Sequence, residues 1–193
     1  MTVTDVEYTI LIARSVDEAG RNRLARYHRQ AQILETDGHA LFEFVCRYLE
    51  QLPVSLRTAR TAAKQTNLSD TIVPVLRTVE QFFDRQDEMT ETGGLLGLLD
   101  SAYMGHRLLE ELNDQLHVRM GLLILHVDMT EANTLVHRLI GEPYASELEG
   151  VVHQTTDNLL ATLRNQPASA ATAQPATLRP FLKQQSIRLR LPG

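Results

Sequence analysis

The chain has 193 residues, enough for one domain with a single core, and its 43% hydrophobic and 22% charged content is ordinary for a globular protein. The single cysteine, Cys46, excludes an intramolecular disulfide framework and a zinc site built from several thiolates. Because neither a signal-peptide pattern nor an apolar run of about 18 residues is present, the sequence predicts a protein of the reducing cytoplasm with no membrane-spanning helix.

The net charge of −5 is unevenly distributed along the chain. Residues 165–193 contain four basic side chains and no acid, so residues 1–164 carry a net charge of −9. An acidic body disfavours nonspecific binding of nucleic acid, because the phosphates are repelled. The basic tail 179–190 is predicted either to bind a protein partner or to fold back onto the acidic body.

The first predicted elements are an N-terminal arm and a helix. Thr4 to Glu7 has the spacing of a helix capping box, whereas apolar residues alternate from Val6 to Ile12 as they do in a strand. The sequence therefore leaves residues 1–14 open between the start of a helix and an extended or frayed arm. A first regular helix is predicted from Asp17 to about Leu34.

Three further helices are predicted before residue 87. One begins after Asp37 and ends at Pro53, because proline disrupts helix continuation. The next runs from Ser55 to about residue 66. Ser69 is predicted to cap the following helix, which extends to about residue 86 and carries Pro74 as a kink or a late start.

The strongest periodicity in the sequence predicts a central helix over residues 94–119. Apolar and small residues recur at steps of three and four, which places them on one helix face. This seam comprises Leu95, Leu98, Ala102, Gly105, Leu109, Leu112 and Leu116. Ala102 and Gly105 are small enough to let a neighbouring helix cross closely, and Gly121 is predicted to end or bend the helix.

Two shorter helices complete the predicted body. Thr130 is predicted to cap the first, which ends at Gly141, and Pro143 to begin the second, which reaches about Arg164. The inward positions predicted for the second are Leu148, Val151, Val152, Leu159 and Leu163. The sequence thus predicts an all-α, single-domain bundle of six or seven helices over residues 1–164, followed by a flexible linker and basic tail over residues 165–193.

Beside the apolar seam runs a stripe of polar side chains that suits a metal site. Its four candidate ligands are His106, Glu110, Asp114 and His117, with Tyr103 as a nearby proton donor. Helical-bundle metal sites use such spacing, because side chains three or four residues apart share a face. A mixed carboxylate and imidazole set would suit iron, manganese or zinc. The alternative is a row of hydrogen-bonded side chains with no ligand, and that alternative is favoured because no Glu-x-x-His pair occurs.

Residues 57–77 suit a second kind of site. The stretch RTARTAAKQTNLSDTIVPVLR resembles the helix-turn-helix of bacterial repressors, with Asn67 at the turn and Ser69 at the start of the second helix. The resemblance implies nucleic-acid contacts by Arg57, Arg60, Lys64 and Arg77. Pro74 would lie inside the recognition helix and departs from the pattern. DNA binding is therefore not favoured.

No assembled catalytic set appears in the sequence, and Cys46 is predicted to be a structural residue in mid-helix. The favoured hypothesis is a non-catalytic regulatory or protein-interaction protein that self-associates as a homodimer and has no cofactor. The alternatives are a metal- or cofactor-binding helical enzyme and a helix-turn-helix DNA-binding regulator. A further candidate surface comes from the chain ends: if Val6–Ile12 and Ile187–Leu191 are both extended, they are expected to pair with each other or with the edge of a partner, including across a dimer, and the alternative is that both ends are disordered.

Overall fold

A computed structural model describes residues 2–19, 38–84, 94–164 and 178–181. Within these ranges the chain forms six α-helices: α1 Val3–Ala19, α2 Gly38–Thr66, α3 Ser69–Phe83, α4 Leu99–Met120, α5 Thr130–Ile140 and α6 Tyr144–Arg164. A 3₁₀ turn, Gly94–Leu98, leads into α4, and two short strands, β1 Val127–Asp128 and β2 Arg179–Pro180, pair in parallel. The predicted all-α bundle is confirmed.

Several predicted segments lie outside the described residues. These are the helix beyond residue 19, the polar loop 87–92, the linker that follows residue 164 and the last twelve residues with Lys183, Arg188 and Arg190. Among the residues that the structure describes, no helix combines the length and the apolar character that a membrane span requires.

The central position of α4 is confirmed by its packing. It contacts α2, α3, α5 and α6, and every residue of the predicted seam is buried. At Gly105 a Cβ atom would lie 2.9 Å from Val79 Cγ1 and 3.1 Å from Leu52 Cδ2. Only a glycine leaves room for α2 and α3 to approach this closely, as the spacing of small residues predicts.

The predicted break at Pro53 is wrong, because α2 continues through it as one helix of 29 residues. Proline removes one helical hydrogen bond and costs about 3 kcal/mol in a helix interior. The buried residues Leu49, Leu52, Leu56 and Ala59 keep the same helical phase across the proline. Burial of a leucine contributes about 1.5–3 kcal/mol, so packing outweighs the local cost.

The described residues 3–14 belong to the helix Val3–Ala19, so of the two alternatives that the sequence leaves open the helix forms and the extended or frayed arm does not. Val6, Ile10 and Ala13 lie three or four residues apart and are buried, so core packing selects the helical pattern over the alternating one. The cap lies two residues earlier than predicted. The Asp5 carboxylate accepts the Thr2 N–H at 2.6 Å, and this hydrogen bond lowers the pKa of Asp5.

Two other residues predicted to cap helices, Ser69 and Thr130, do not do so. Ser69 donates its hydroxyl to the Ala63 carbonyl at 3.3 Å and caps no helix, because α3 begins without a side-chain cap. α5 likewise begins without a side-chain cap: Thr130 is its first residue, and the Thr130 N–H donates to the Asp128 carboxylate at 3.0 Å.

The turns agree better with the sequence. Asn67 has a φ of 57°, and Gly121 and Gly141 end their helices with φ values of 65° and 83°. These left-handed conformations favour glycine and asparagine. In α6, Leu148 and Val152 are buried as predicted, Leu159 is half-buried, and the Leu163 side chain lies outside the described residues. Val151 is exposed and was wrongly placed inward.

A residue of α1 that is distant in sequence holds the N-terminus of the 3₁₀ turn in place. The buried Asp17 accepts the Leu95 N–H at 2.7 Å. Gly94 has a φ of 58°, and a Cβ atom there would lie 2.6 Å from Asp17 Oδ2. The glycine therefore provides both the left-handed turn and the space for the carboxylate.

A short part of the predicted tail packs against the helical body. The Arg179 N–H donates to the His126 carbonyl at 2.9 Å, and the Phe181 N–H donates to the Asp128 carbonyl at 3.0 Å. The Phe181 side chain is buried. Residues 178–181 thus form a strap beside the start of α5.

Candidate functional site

The polar stripe of α4 begins with His106, which is buried against α2. Its Nε2 lies 2.9 Å from the Tyr48 carbonyl oxygen, and the two rings are 4.5 Å apart between centroids. Because a carbonyl only accepts, Nε2 must carry the proton. Burial lowers the pKa of His106 to about 4, and the Tyr48 carbonyl opposes this only in part. His106 is therefore neutral at pH 7.

The Tyr48 side chain continues the network to α5. Its hydroxyl donates to Asn133 Oδ1 at 2.8 Å, and the Asn133 amide donates to Glu110 Oε2 at 3.0 Å. Burial raises the pKa of Tyr48 well above its ordinary value. Thr130 also donates to Glu110, at 2.9 Å, so this carboxylate connects α4 to the first turn of α5.

Arg107 links Glu110 to α6. It donates to Glu110 and, through Nε, to Glu149 at 2.9 Å. Burial works to lower the pKa of Arg107, but the two carboxylates outweigh it and raise the pKa. Tyr103 donates its hydroxyl to Glu149, and burial together with this hydrogen bond raises the pKa of Tyr103. We call these linked side chains the α4 polar network: Tyr48, Tyr103, His106, Arg107, Glu110, Thr130, Asn133 and Glu149.

Glu149 remains a carboxylate within this network. Burial works to raise its pKa, but the Tyr103 hydroxyl and the Arg107 guanidinium outweigh burial and lower the pKa. Tyr103, predicted as a proton donor, therefore gives its hydrogen bond to a structural carboxylate and holds its proton more strongly than a free tyrosine.

A cavity of about 80 Å³ adjoins the α4 polar network. Its polar lining includes His106, Glu110, Asn113 and Asp114, while Leu178 of the strap contributes to its wall. Water occupies about 30 Å³ per molecule, so the cavity has room for two or three waters. Substrate and cofactor sites typically measure about 300–1,000 Å³. This cavity is therefore too small for most organic substrates.

Three of the four predicted metal ligands, His106, Glu110 and Asp114, line the cavity, whereas His117 does not. Asp114 is exposed at the cavity, and its pKa is raised by burial of part of the carboxyl and by Glu110 and Glu111. His117 lies one turn further along, and its buried Nδ1 has no hydrogen-bond partner among the described residues. No group of three or more His, Cys, Asp or Glu in the described ranges is placed to hold a metal ion. The geometry gives the iron, manganese or zinc hypothesis no support, and it stays a prediction.

The basic residues of the predicted helix-turn-helix are partly committed to ion pairs. Arg57 pairs with Glu7 of α1, and Arg60 pairs with the buried Glu80 of α3 at 2.6 Å. Lys64 and Arg77 are exposed. Arg57 and Arg60 thus link neighbouring helices within the chain. DNA binding gains no support and also stays a prediction.

A wide concavity lies between α3, α4 and α6. This α3–α4–α6 groove measures about 760 Å³ and contains no lysine, arginine or histidine among its described lining residues. They are Thr78, Gln81, Phe82, Asp84, Asp100, Ser101, Met104, Tyr144, Leu148 and Val151. Tyr144 and Val151 expose 48% and 46% of their surfaces, large fractions for apolar side chains.

One end of the groove is acidic. The Tyr144 hydroxyl donates to Asp100 Oδ2 at 3.0 Å, and the pKa of Tyr144 is raised by burial, by Asp100 and by Glu147. Asp84 lines the same groove. Carboxylates therefore border an open apolar surface with no basic side chain in its described lining.

Sequence reasoning missed most of this arrangement. Arg107 lies four residues after Tyr103 and three before Glu110, so the helical spacing alone predicts that it lies on the polar stripe. Glu149 and Asn133 carried no signal, because their partners lie on other helices. The groove was missed for the same reason: three helices build it, and none of them defines it alone.

Comparisons with known proteins add no family or fold relationship. No protein-family model matches the chain, and neither the curated proteins nor the solved structures searched include a match.

Proposed function

We propose that this chain is a non-catalytic, self-associating protein-interaction protein of the reducing cytoplasm, and that the α3–α4–α6 groove binds a basic, apolar segment of a partner protein. The open groove with its acidic end is the observation that carries the proposal. Burial of the only thiol, on Cys46, is compatible with a reducing compartment.

The side chains best suited to chemistry support a non-catalytic role. Glu110, Arg107 and Glu149 hydrogen-bond to one another or to neighbouring helices, and His106 is buried and neutral. Their positions fix α2, α5 and α6 against α4. A network with satisfied hydrogen bonds specifies packing, and the adjoining cavity is too small for most substrates.

The composition of the groove selects the partner. Exposed Tyr144 and Val151 offer apolar contact, and the Asp100 carboxylate favours positive charge. A segment that alternates basic and apolar side chains satisfies both requirements. The C-terminal sequence of this chain, residues 182–193, has such a composition, with three basic residues and no acid. It therefore provides a suitable probe.

The test is fluorescence anisotropy with a labelled peptide of residues 182–193. We expect saturable, salt-dependent binding to the full chain, and tighter binding to a chain that ends at Phe181 if the attached tail competes for the groove. Asp100→Asn should weaken binding roughly two- to fivefold, as expected for one exposed charge pair. Val151→Asp should weaken it further by placing a carboxylate on the apolar contact surface.

The matched control is Asp70→Asn, which removes an exposed carboxylate of α3 outside the groove lining. It should leave peptide binding unchanged. Equal binding of a peptide with its basic residues replaced by glutamine would contradict the charge requirement. Binding that survives both Asp100→Asn and Val151→Asp would place the peptide elsewhere and refute the groove.

A further inference from the structure

A second exposed apolar surface, separate from the α3–α4–α6 groove, lies between α1 and α2. Leu11 exposes 63% of its surface and Val54 exposes 45%. They border a shallow depression of about 390 Å³, with the buried side chains of Ile10 and Pro53 in its lining. Isolated exposed apolar residues are common, but a bordered depression with an apolar floor is a typical contact surface.

Two ion pairs flank this depression. Arg14 of α1 pairs with Glu50 of α2 at 2.8 Å, and Glu7 of α1 pairs with Arg57 of α2. The pairing order shows that the helices run antiparallel here, since the earlier residue of α1 meets the later residue of α2. The four charges therefore mark the corners of the surface.

The two helices present the same pattern of side chains. Each carries a glutamate, then an apolar residue four positions later, then an arginine three positions after that. We call these six residues the α1–α2 face: Glu7, Leu11, Arg14, Glu50, Val54 and Arg57. Seven residues span about 10 Å of helix, so the acids and bases alternate around a rectangle about 10 Å long. A half-turn about the normal to this face exchanges the two triplets.

This alternation makes the α1–α2 face complementary to itself. When a second copy is placed on it by a twofold axis parallel to the helices, Glu7 faces Arg57 and Arg14 faces Glu50. When the axis runs across the helices, Glu7 faces Arg14 and Glu50 faces Arg57. In both arrangements every carboxylate meets a guanidinium, and the apolar centres meet each other.

A partner of a single charge sign fits the same face poorly. An acidic surface would meet Glu7 and Glu50, and a basic surface would meet Arg14 and Arg57. Like charges brought together at an interface disfavour binding, whereas a second copy avoids them at all four corners. Symmetric dimers use one patch on both subunits, which is the arrangement that a self-complementary face provides.

We infer that the α1–α2 face is the surface through which two copies of this chain associate as a twofold-symmetric dimer. The inference rests on the self-association part of the proposed function and is independent of the peptide groove. Leu11 and Val54 form its apolar centre, and the four charged residues set its register.

The first experiment compares two exposed apolar positions, Leu11 and Val118, by analytical ultracentrifugation of the full chain over a wide range of concentration. Leu11→Glu should weaken dimerisation roughly tenfold or more, because it places an unpaired carboxylate at the centre of the interface. Val118→Glu is the control, since Val118 exposes 60% of its surface on α4, away from this face. It should leave the dimer unchanged. Circular dichroism checks that both variants remain folded.

The second experiment tests charge complementarity by reversing all four corners in one variant: Glu7→Arg, Arg14→Glu, Glu50→Arg and Arg57→Glu. Both intramolecular ion pairs are retained with their signs exchanged, and the face remains complementary to itself. The variant should therefore form dimers of its own. It should not mix with the original chain, because like charges would then meet at every corner for either direction of the twofold axis.

The outcomes separate this inference from the groove proposal. Strictly monomeric behaviour of the original chain would overturn the inference, as would a dimer that Leu11→Glu does not weaken or free mixing of the charge-reversed and original chains. Peptide binding measured on Leu11→Glu reports on the groove alone. Its retention in a monomeric variant would support both proposals, and its loss in a folded variant would contradict their independence.

Discussion

Two faces of α4 stabilise the protein in different ways. The apolar seam, including Leu109 and Leu112, is fully enclosed and contributes through burial, which has little directional requirement. The α4 polar network lies beside it and acts through hydrogen bonds with fixed geometry, such as Arg107 to Glu149. The seam therefore supplies stability. The network determines which arrangement of the helices satisfies the hydrogen bonds of its polar groups. A polar stripe along a helix can specify packing without forming an active site.

The largest expected effect comes from the seam. Leu112→Ala should lower the free energy of unfolding by about 2–5 kcal/mol, because it removes buried methyl groups and leaves a cavity. Urea unfolding measures the change. On the same helix, Val118→Ala alters an exposed side chain and should stay within about 0.5 kcal/mol of the original protein. Similar midpoints for the two variants would contradict the central position of the seam.

The next largest effect is a dependence of the free energy of unfolding on pH, which the polar network causes and the apolar seam does not. Because the pKa of His106 is lowered to about 4 from an ordinary value of 6.5, the unfolded chain binds more protons between these values. The contribution is fully present above pH 6.5 and is lost as the pH falls towards 4, by on the order of 3 kcal/mol. His106→Leu should abolish this slope in urea unfolding across that window. An unchanged slope would show that another group titrates.

The loss of stability caused by protonation of His106 should be distinguishable from the loss caused by protonation of Glu149. The pKa of this carboxyl is lowered, so its contribution is present above its ordinary pKa of 4.5 and is lost only as the pH falls below that value. The two groups therefore act in neighbouring windows, and the His106→Leu variant should retain the lower one.

The smallest effect concerns a single hydrogen bond. Tyr48→Phe removes the hydroxyl that donates to Asn133 and should cost about 0.5–1.5 kcal/mol, with a further cost if the buried amide oxygen finds no other donor. Tyr144→Phe removes a hydroxyl from an exposed tyrosine and should have almost no effect on stability. Thermal unfolding of the pair compares a buried bond with an exposed one. Equal losses would show that burial of the hydroxyl does not matter here.

The sequence predicts those features that one helix determines alone. The seam of α4, the close approach at Gly105 and the left-handed turn at Asn67 each follow from local spacing or from backbone preference. Pro53 shows the limit of local rules, because buried leucines on both sides keep α2 continuous. A local cost of a few kcal/mol does not decide an element that tertiary packing also stabilises.

The candidate surfaces depended on contacts between distant positions. Arg107 and Glu149 lie 42 residues apart, and Tyr48 and Asn133 lie 85 apart. The periodicity of apolar residues along one helix does not predict contacts between residues so far apart in the sequence. The same holds for the α1–α2 face, where the two triplets become complementary only because α1 and α2 pack antiparallel.

The hydrogen bond from Leu95 to Asp17 has a consequence for the order of folding. It joins residues 78 positions apart, and closing a loop of that length carries an entropic cost before any contact is formed. Pairs such as α2 with α3 and α4 with α5 follow each other closely in the chain and close much shorter loops. We therefore expect the contact between Asp17 and Leu95 to form after these shorter-range helix pairs and to be among the first contacts released during unfolding.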